Sequence, residues 1–219
     1  MAGPGSSSLL PVRPKRQGTR LSAARSTSPD GWLGCDAAWV FRSAAEAVPF
    51  ANVSHDLGLG WLEDIFPPGD VDSLLELRTL SPVPLAMGNE QGGSYYPQAL
   101  IDLNAVDVVR IDLTYMGGIS GGRSIVDRCV RAVMTFAPHM FAHVHSQVFS
   151  AWGFPDVPIE WGVQWTGVDP YADSLAQPLI VNGRMAPLES LASFGSLVNL
   201  DWIGTQECID PDDLFAISR

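Results

Sequence analysis

Six residues able to move protons or hold a hard cation each end a short apolar segment of this 219-residue chain. Asp36 closes GWLGCD, Glu63 closes GWLE, Glu90 closes PVPLAMGNE, Asp112 closes VDVVRID, His139 follows TFAP and Glu160 follows VPI. The intervals are 27, 27, 22, 27 and 21 residues, each close to one strand, loop, helix and return. Acids also follow strands simply because turns are polar. Six in register fit better a ring of parallel strands whose C-terminal ends converge on one mouth, where side chains distant in sequence meet.

The segments between these residues have the composition such a ring needs. GWLGCD, GWLEDI, PVPLAMGNE, VDVVRIDL, TFAPHMF and PIEW read as six strands. The nearly unbroken branched residues of VDVVRIDL fit a parallel strand buried on both faces. Helical stretches are expected between them, over 39–58, 71–80, 94–104 and 117–136; Leu74, Leu75, Leu77 and Leu80 share a face of the second. After Trp161 the periodicity fades, and the tail with its LVNLDWI run is expected to fold back over the barrel. The fold class is therefore α/β, a partial (β/α) barrel of about six units.

Composition narrows the class. With 46% hydrophobic and 17% charged residues the chain is globular. A net charge of -11 argues against nucleic-acid binding, which needs a basic face. No apolar run approaches the ~20 residues of a membrane span. Cys35, Cys129 and Cys208 lack metal-type spacing and are odd in number, which fits reduced thiols in a cytoplasmic protein. Five of the 13 basic residues (Arg13, Lys15, Arg16, Arg20 and Arg25) lie before Asp30, where there is no acid and no periodicity. Residues 1–30 are therefore expected to be a disordered basic, Ser-rich tail, with an organelle transit peptide or a misassigned reading start as alternatives. Residues 31–219 are expected to form the barrel domain.

WLED, GNEQGG, VDVVRIDLTYMGGISGG, APHMFAHVH, PIEW and NGRMAPLESLASFGSLVNLDWI together resemble the C-terminal barrel of the enolase superfamily, mandelate racemase/muconate-lactonizing branch, over residues 31–203. The resemblance implies that Asp36, Glu63 and Glu90 are the carboxylate ligands of one Mg2+. It implies that Asp112 and His139 are an Asp–His dyad, and that Glu160 is the last-strand acid that hydrogen-bonds a substrate carboxylate. Asn89 stands where relatives lead one to expect an acid before Glu90. The resemblance also implies an N-terminal capping domain and two earlier barrel units, the second ending in a Lys-x-Lys pair with the opposing base. No counterpart of these stands in the sequence, whose single lysine is Lys15.

The residue types suit that chemistry. A proton alpha to a carboxylate is a very weak acid, so its removal needs electrostatic stabilisation of the ene-diolate, which a hard divalent cation supplies. Magnesium takes oxygen ligands. The proton then needs a base whose pKa lies near neutrality, and histidine is the side chain with that value. Other roles stay open from the residues alone. Asp36 could cap a helix. Asp64 is expected to be solvated or to support a ligand without being one, since neighbouring strand residues face opposite ways. His139, His143 and His145 form an H-x-x-x-H-x-H cluster that could bind zinc. GGISGG fits a tight strand-to-helix turn better than a phosphate loop, because it lacks the Lys-Ser/Thr.

The expected function is Mg2+-dependent abstraction of a proton alpha to the carboxylate of a small sugar acid, with dehydration as the outcome. The alternatives are racemisation or epimerisation of a hydroxy acid, and an inactive remnant. Open edges on the first and last strands point to a homo-oligomer as one means of closure.

Overall fold

The computed structural model describes residues 14–160, 180–181, 184–185, 195 and 198–205. Five parallel strands carry the fold: β1 (Gly34–Asp36), β2 (Trp61–Glu63), β3 (Leu85–Met87), β4 (Val108–Ile111) and β5 (Thr135–Pro138). Their order in the sheet is their order in the chain. Helices α2 (Ala44–Asp56), α3 (Val71–Leu80), α4 (Tyr95–Asp102) and α5 (Gly118–Ala132) return the chain between successive strands, and α6 (Ala142–Ala151) follows β5. Each strand thus pairs with the next through a helical crossover, the construction of a (β/α) barrel. Among the described residues, an antiparallel pair, β6 (Ile180–Val181) with β7 (Arg184–Met185), and a short α7 (Leu200–Gly204) follow. No described helix is long and apolar enough to cross a membrane.

Local chemistry sets the ends of these elements. Ser43 caps α2 by accepting a hydrogen bond from the Glu46 N–H, while Glu46 reaches back to the Arg42 N–H at 3.0 Å. Asp70 caps α3 through the Ser73 N–H. GGISGG is a strand-to-helix turn. Gly117 has φ 81° there, and a Cβ on Gly121 would come within 1.9 Å of the Met116 carbonyl oxygen.

Strand alternation divides the side chains between two faces. On the outer face Leu62, Leu85, Met87, Val109 and Ile111 join one large apolar cluster with Phe50 and Ala51 of α2, Leu74 and Leu77 of α3, Leu100 of α4, Ile125 and Val126 of α5, and Phe149 of α6. On the inner face Ala86, Val108 and Ala137 form a small separate cluster with Trp61 packed against it.

Two expectations require correction. PIEW does not pair as a sixth strand among the described residues; Pro158–Glu160 lies outside any ladder, and Trp161 lies outside the described residues, as does residues 161–179 of the expected fold-back. Residues 14–27, expected to be disordered, form a helix, α1 (Pro14–Thr27), while residues 1–13 lie outside the described residues. Leu21 is buried in the main core. Arg25 fastens the end of α1 to five backbone carbonyls, among them Leu57 O at 2.8 Å, Gly31 O at 2.7 Å and Gly58 O at 2.9 Å. A positive side chain satisfying carbonyls beyond a helix end offsets a composition that otherwise favours disorder.

Candidate functional site

Asp36 and Glu63 are register partners at the C-terminal ends of β1 and β2, both on the inner face. Arg110 of β4 lies on the same face and is 2% exposed. Its Nε donates to Glu63 Oε1 at 2.8 Å, its Nη1 donates to Pro138 O at 3.0 Å, and its Nη2 donates to Glu160 Oε2. The guanidinium also stacks over the Trp61 ring, 5.4 Å from its centroid, and Trp61 Nε1 donates to Glu63 Oε2 at 3.2 Å. Both carboxylate oxygens of Glu63 therefore face donors from the chain. Burial pushes the Glu63 carboxyl above its ordinary value, and the Arg110 charge offsets part of that rise. Asp36 accepts from the Ala38 N–H at 2.7 Å in a tight turn and so is not the cap of α2; burial raises its carboxyl as well.

Glu90 lies elsewhere. Its two oxygens accept from the Gly88 N–H at 2.9 and 3.0 Å, which turns the side chain back on the end of β3. There it meets Asp64, which is 8% exposed and has φ 52°. Burial, with the Glu90 carboxylate beside it, pushes the Asp64 carboxyl up to about 11. Asp64 is thus buried against Glu90, so of its two expected places, solvated or supporting a ligand, the structure excludes the solvated one. Its Oδ1 and the Oδ1 of Asn89 are buried without a hydrogen-bond partner.

The third group brings Asp112 and His139 together. His139 Nδ1 lies 3.1 Å from Asp112 Oδ2, and Asp112 Oδ1 accepts from the Thr114 N–H at 2.8 Å and from its hydroxyl at 2.6 Å. Asp112 is fully buried, and burial alone would raise its carboxyl, but these bonds from His139 and Thr114 hold it below the usual range. An ionised Asp112 fixes the neutral tautomer of its partner: Nδ1 carries the hydrogen, and Nε2 keeps the lone pair. His145, fully buried, packs behind the pair, 3.8 Å from Asp112 Oδ1. Its Nδ1 donates to Met140 O at 2.7 Å and its Nε2 accepts from the Leu113 N–H at 3.0 Å. Both ring nitrogens are committed, burial lowers its pKa, and the residue is neutral. That engagement removes His145 from any zinc site.

Among the described residues no three His, Cys, Asp or Glu side chains converge closely enough to hold a metal ion. The donor chemistry nevertheless suits Mg2+, since Asp36 and Glu63 offer only oxygens and a divalent cation would offset the cost of their burial. These two fit the metal. Glu90 in its present rotamer does not.

The sequence reading passes over Arg110, Trp61 and Thr114, and weighs His145 only as a zinc ligand. For Arg110 a signal was available: a strand apolar enough to be buried on both faces carried one charged residue, and a fully buried charge requires partners.

Comparison with known proteins fits this geometry. The family model for "Enolase C-terminal domain-like" proteins matches residues 3–190. The chain belongs to that family. The match extends well before residue 31, in keeping with α1 as part of the domain. A D-galactonate dehydratase family member from Catenulispora acidiphila is 31% identical over 136 residues, covering 51% of this chain and 32% of the relative, so the chain spans about a third of that protein. An enolase from Bradyrhizobium, solved with magnesium and mandelic acid, superposes with a TM-score of 0.79 at 18% identity, over 94% of this chain and 54% of that one. A mandelate racemase/muconate lactonizing enzyme from a marine actinobacterium also gives 0.79, at 18% identity over 93% and 58%. At these identities the structures establish the fold, and the enolase-type chain is of the mandelate racemase/muconate-lactonizing branch.

Proposed function

We propose that this chain carries the proton-transfer and metal-holding residues of a Mg2+-dependent abstraction of a proton alpha to a carboxylate, with dehydration of a sugar acid as the outcome. The observation that carries the proposal is the 3.1 Å approach of His139 Nδ1 to a buried, ionised Asp112. Its support from outside the chain is the dehydratase family of the Catenulispora relative and the magnesium bound in the Bradyrhizobium enzyme.

Asp36, Glu63 and Glu90 would hold the metal, Glu90 after leaving the Gly88 N–H. Bound there, Mg2+ supplies positive charge to the carboxylate whose alpha proton is removed. The chain's own residues handle the proton. His139 Nε2 accepts it, and Asp112 stabilises the imidazolium through Nδ1–H. The electron pair of the broken C–H bond first delocalises into the carboxylate as an ene-diolate, then forms the C=C bond to the next carbon as the hydroxyl on that carbon leaves. The imidazolium returns a proton to that leaving hydroxyl, which departs as water, and the enol product tautomerises to a keto acid. Glu160, ion-paired with Arg110, is a poor hydrogen-bond donor to a substrate carboxylate; its place in the proposal is to hold Arg110 and the Met140 N–H at the mouth.

Calorimetric titration of the full chain with MgCl2 tests the metal site. One saturable equivalent is expected, lost in Glu63→Gln and Glu90→Gln; unchanged binding in both sinks the ligand assignment. His139→Asn should keep magnesium binding and abolish keto-acid formation in a sugar-acid panel, and surviving turnover would place the base elsewhere. One observation favours a second reading, a chain that keeps the dyad without turnover: Glu90 is turned away from Asp36 and Glu63.

A further inference from the structure

We propose that Arg110 is the positioning residue of this site, an internal cation that holds the Glu63 and Glu160 side chains in place and would share Glu63 with the divalent metal. Arg110 is fixed from four directions: Glu63 at the end of β2, Pro138 O at the end of β5, Glu160 beyond α6, and the Trp61 ring below. Its side chain is 3% exposed, against 11% for Glu63 and 23% for Glu160, so the guanidinium is the innermost member of the triad. A buried guanidinium with one carboxylate is balanced; with two, the group carries a net negative charge in a poorly solvated place. The surplus faces Asp36, the register partner of Glu63. Arg110 thus neutralises the inner face enough for the chain to fold without metal, and leaves one uncompensated charge beside Asp36 to attract a cation. Glu63 would be the shared carboxylate, since its Oε1 accepts from Arg110 and still has a second lone pair to offer.

Two consequences separate this role from packing. Without the guanidinium, Glu63 and Glu160 repel each other in a desolvated pocket, so neutralising them must restore what the loss of Arg110 removed. A divalent cation must also become more valuable to the fold once Arg110 is gone. The second consequence rests on the function proposed above; the first does not.

The experiment measures thermal unfolding midpoints of the full chain, with and without saturating MgCl2, for wild type, Arg110→Lys, Arg110→Met, and Arg110→Met combined with Glu63→Gln and Glu160→Gln. In the absence of metal, Arg110→Met should lower the midpoint by roughly 10 °C or prevent folding, because it strands buried charges. Arg110→Lys should fall between, keeping the charge without the forked geometry. The triple variant should recover most of the loss. MgCl2 should raise the midpoint of Arg110→Lys, and of Arg110→Met if it folds, more than that of wild type. A triple variant no more stable than Arg110→Met, or equally unfolded, overturns the proposal and leaves Arg110 a packing residue. Equal magnesium gains in all variants overturn the sharing of Glu63 between Arg110 and the metal. If magnesium moves no midpoint, the metal site proposed above fails, and the triple variant still decides the charge role of Arg110.

Discussion

Leu62, Leu85, Met87, Val109 and Ile111 leave the outer face of the strands into one continuous apolar cluster with the helices, each at most 1% exposed, whereas the inner face holds three small residues beneath charged ones. Each face comes from the same strands, one residue out of phase. The outer side is where burial stabilises the fold, at about 25 cal/mol per Å2 of apolar surface. The inner side contributes little of this and is therefore available for Asp36, Glu63 and Arg110. Stability and chemistry are separated by the pleat of each strand, not by distance along the chain.

Substitutions can break that division. Phe149→Ala empties a fully buried position of the outer cluster and should cost about 3–5 kcal/mol in urea unfolding while leaving the magnesium affinity of the folded protein unchanged. A parallel loss of metal binding would show that the faces are coupled. Val108 and Val109 sharpen the comparison, because they are neighbours of one residue type on opposite faces. Val109→Ala should cost about 2–3 kcal/mol and Val108→Ala about 1 kcal/mol, the smaller cluster having fewer partners to lose. Equal costs would mean the inner cluster also carries the fold.

The third test concerns pH. Burial holds His145 below its ordinary value of 6.5, so the unfolded chain binds the proton first as the pH falls. The stability it contributes is complete above about pH 6.5 and is lost as the pH drops toward its depressed folded value. Asp36 and Glu63 are raised and act in the opposite sense, gaining stability on acidification. The difference between wild type and His145→Gln isolates the histidine: the wild-type advantage should shrink between pH 7 and 5, and a constant difference would contradict the assignment. The smallest effect is expected at the edge of α2, where Ser43→Ala should cost about 1 kcal/mol, seen as faster amide exchange at Glu46.

Much of this was legible in the sequence. The apolar segments ending in Asp36, Glu63, Asp112 and His139 marked four strand ends correctly, because a polar residue after an apolar run is a local signal, and the Asp112–His139 pairing followed from the resemblance. The failures were long-range. The helix over residues 14–27 depends on Arg25 reaching carbonyls at Leu57 and Gly58, more than thirty residues away. Glu90 stands just past β3 with its side chain turned back on the Gly88 N–H, a direction set by backbone dihedrals such as φ 146° at Gly88 that no spacing encodes. His145 sat in a suggestive histidine spacing, yet its two nitrogens answer to Met140 and Leu113, which no spacing encodes.

The strict succession of β1 to β5 also bears on how the chain is made. Every strand finds its partner in the unit synthesised just before it, so each pairing closes a loop of roughly 25 residues at modest entropic cost. A nascent chain leaving the ribosome can therefore dock one βα unit at a time on a template already assembled, without waiting for its far end. Arg110 is the exception: its second carboxylate partner Glu160 emerges fifty residues later, so until then Glu63 is the one carboxylate that balances the newly buried guanidinium.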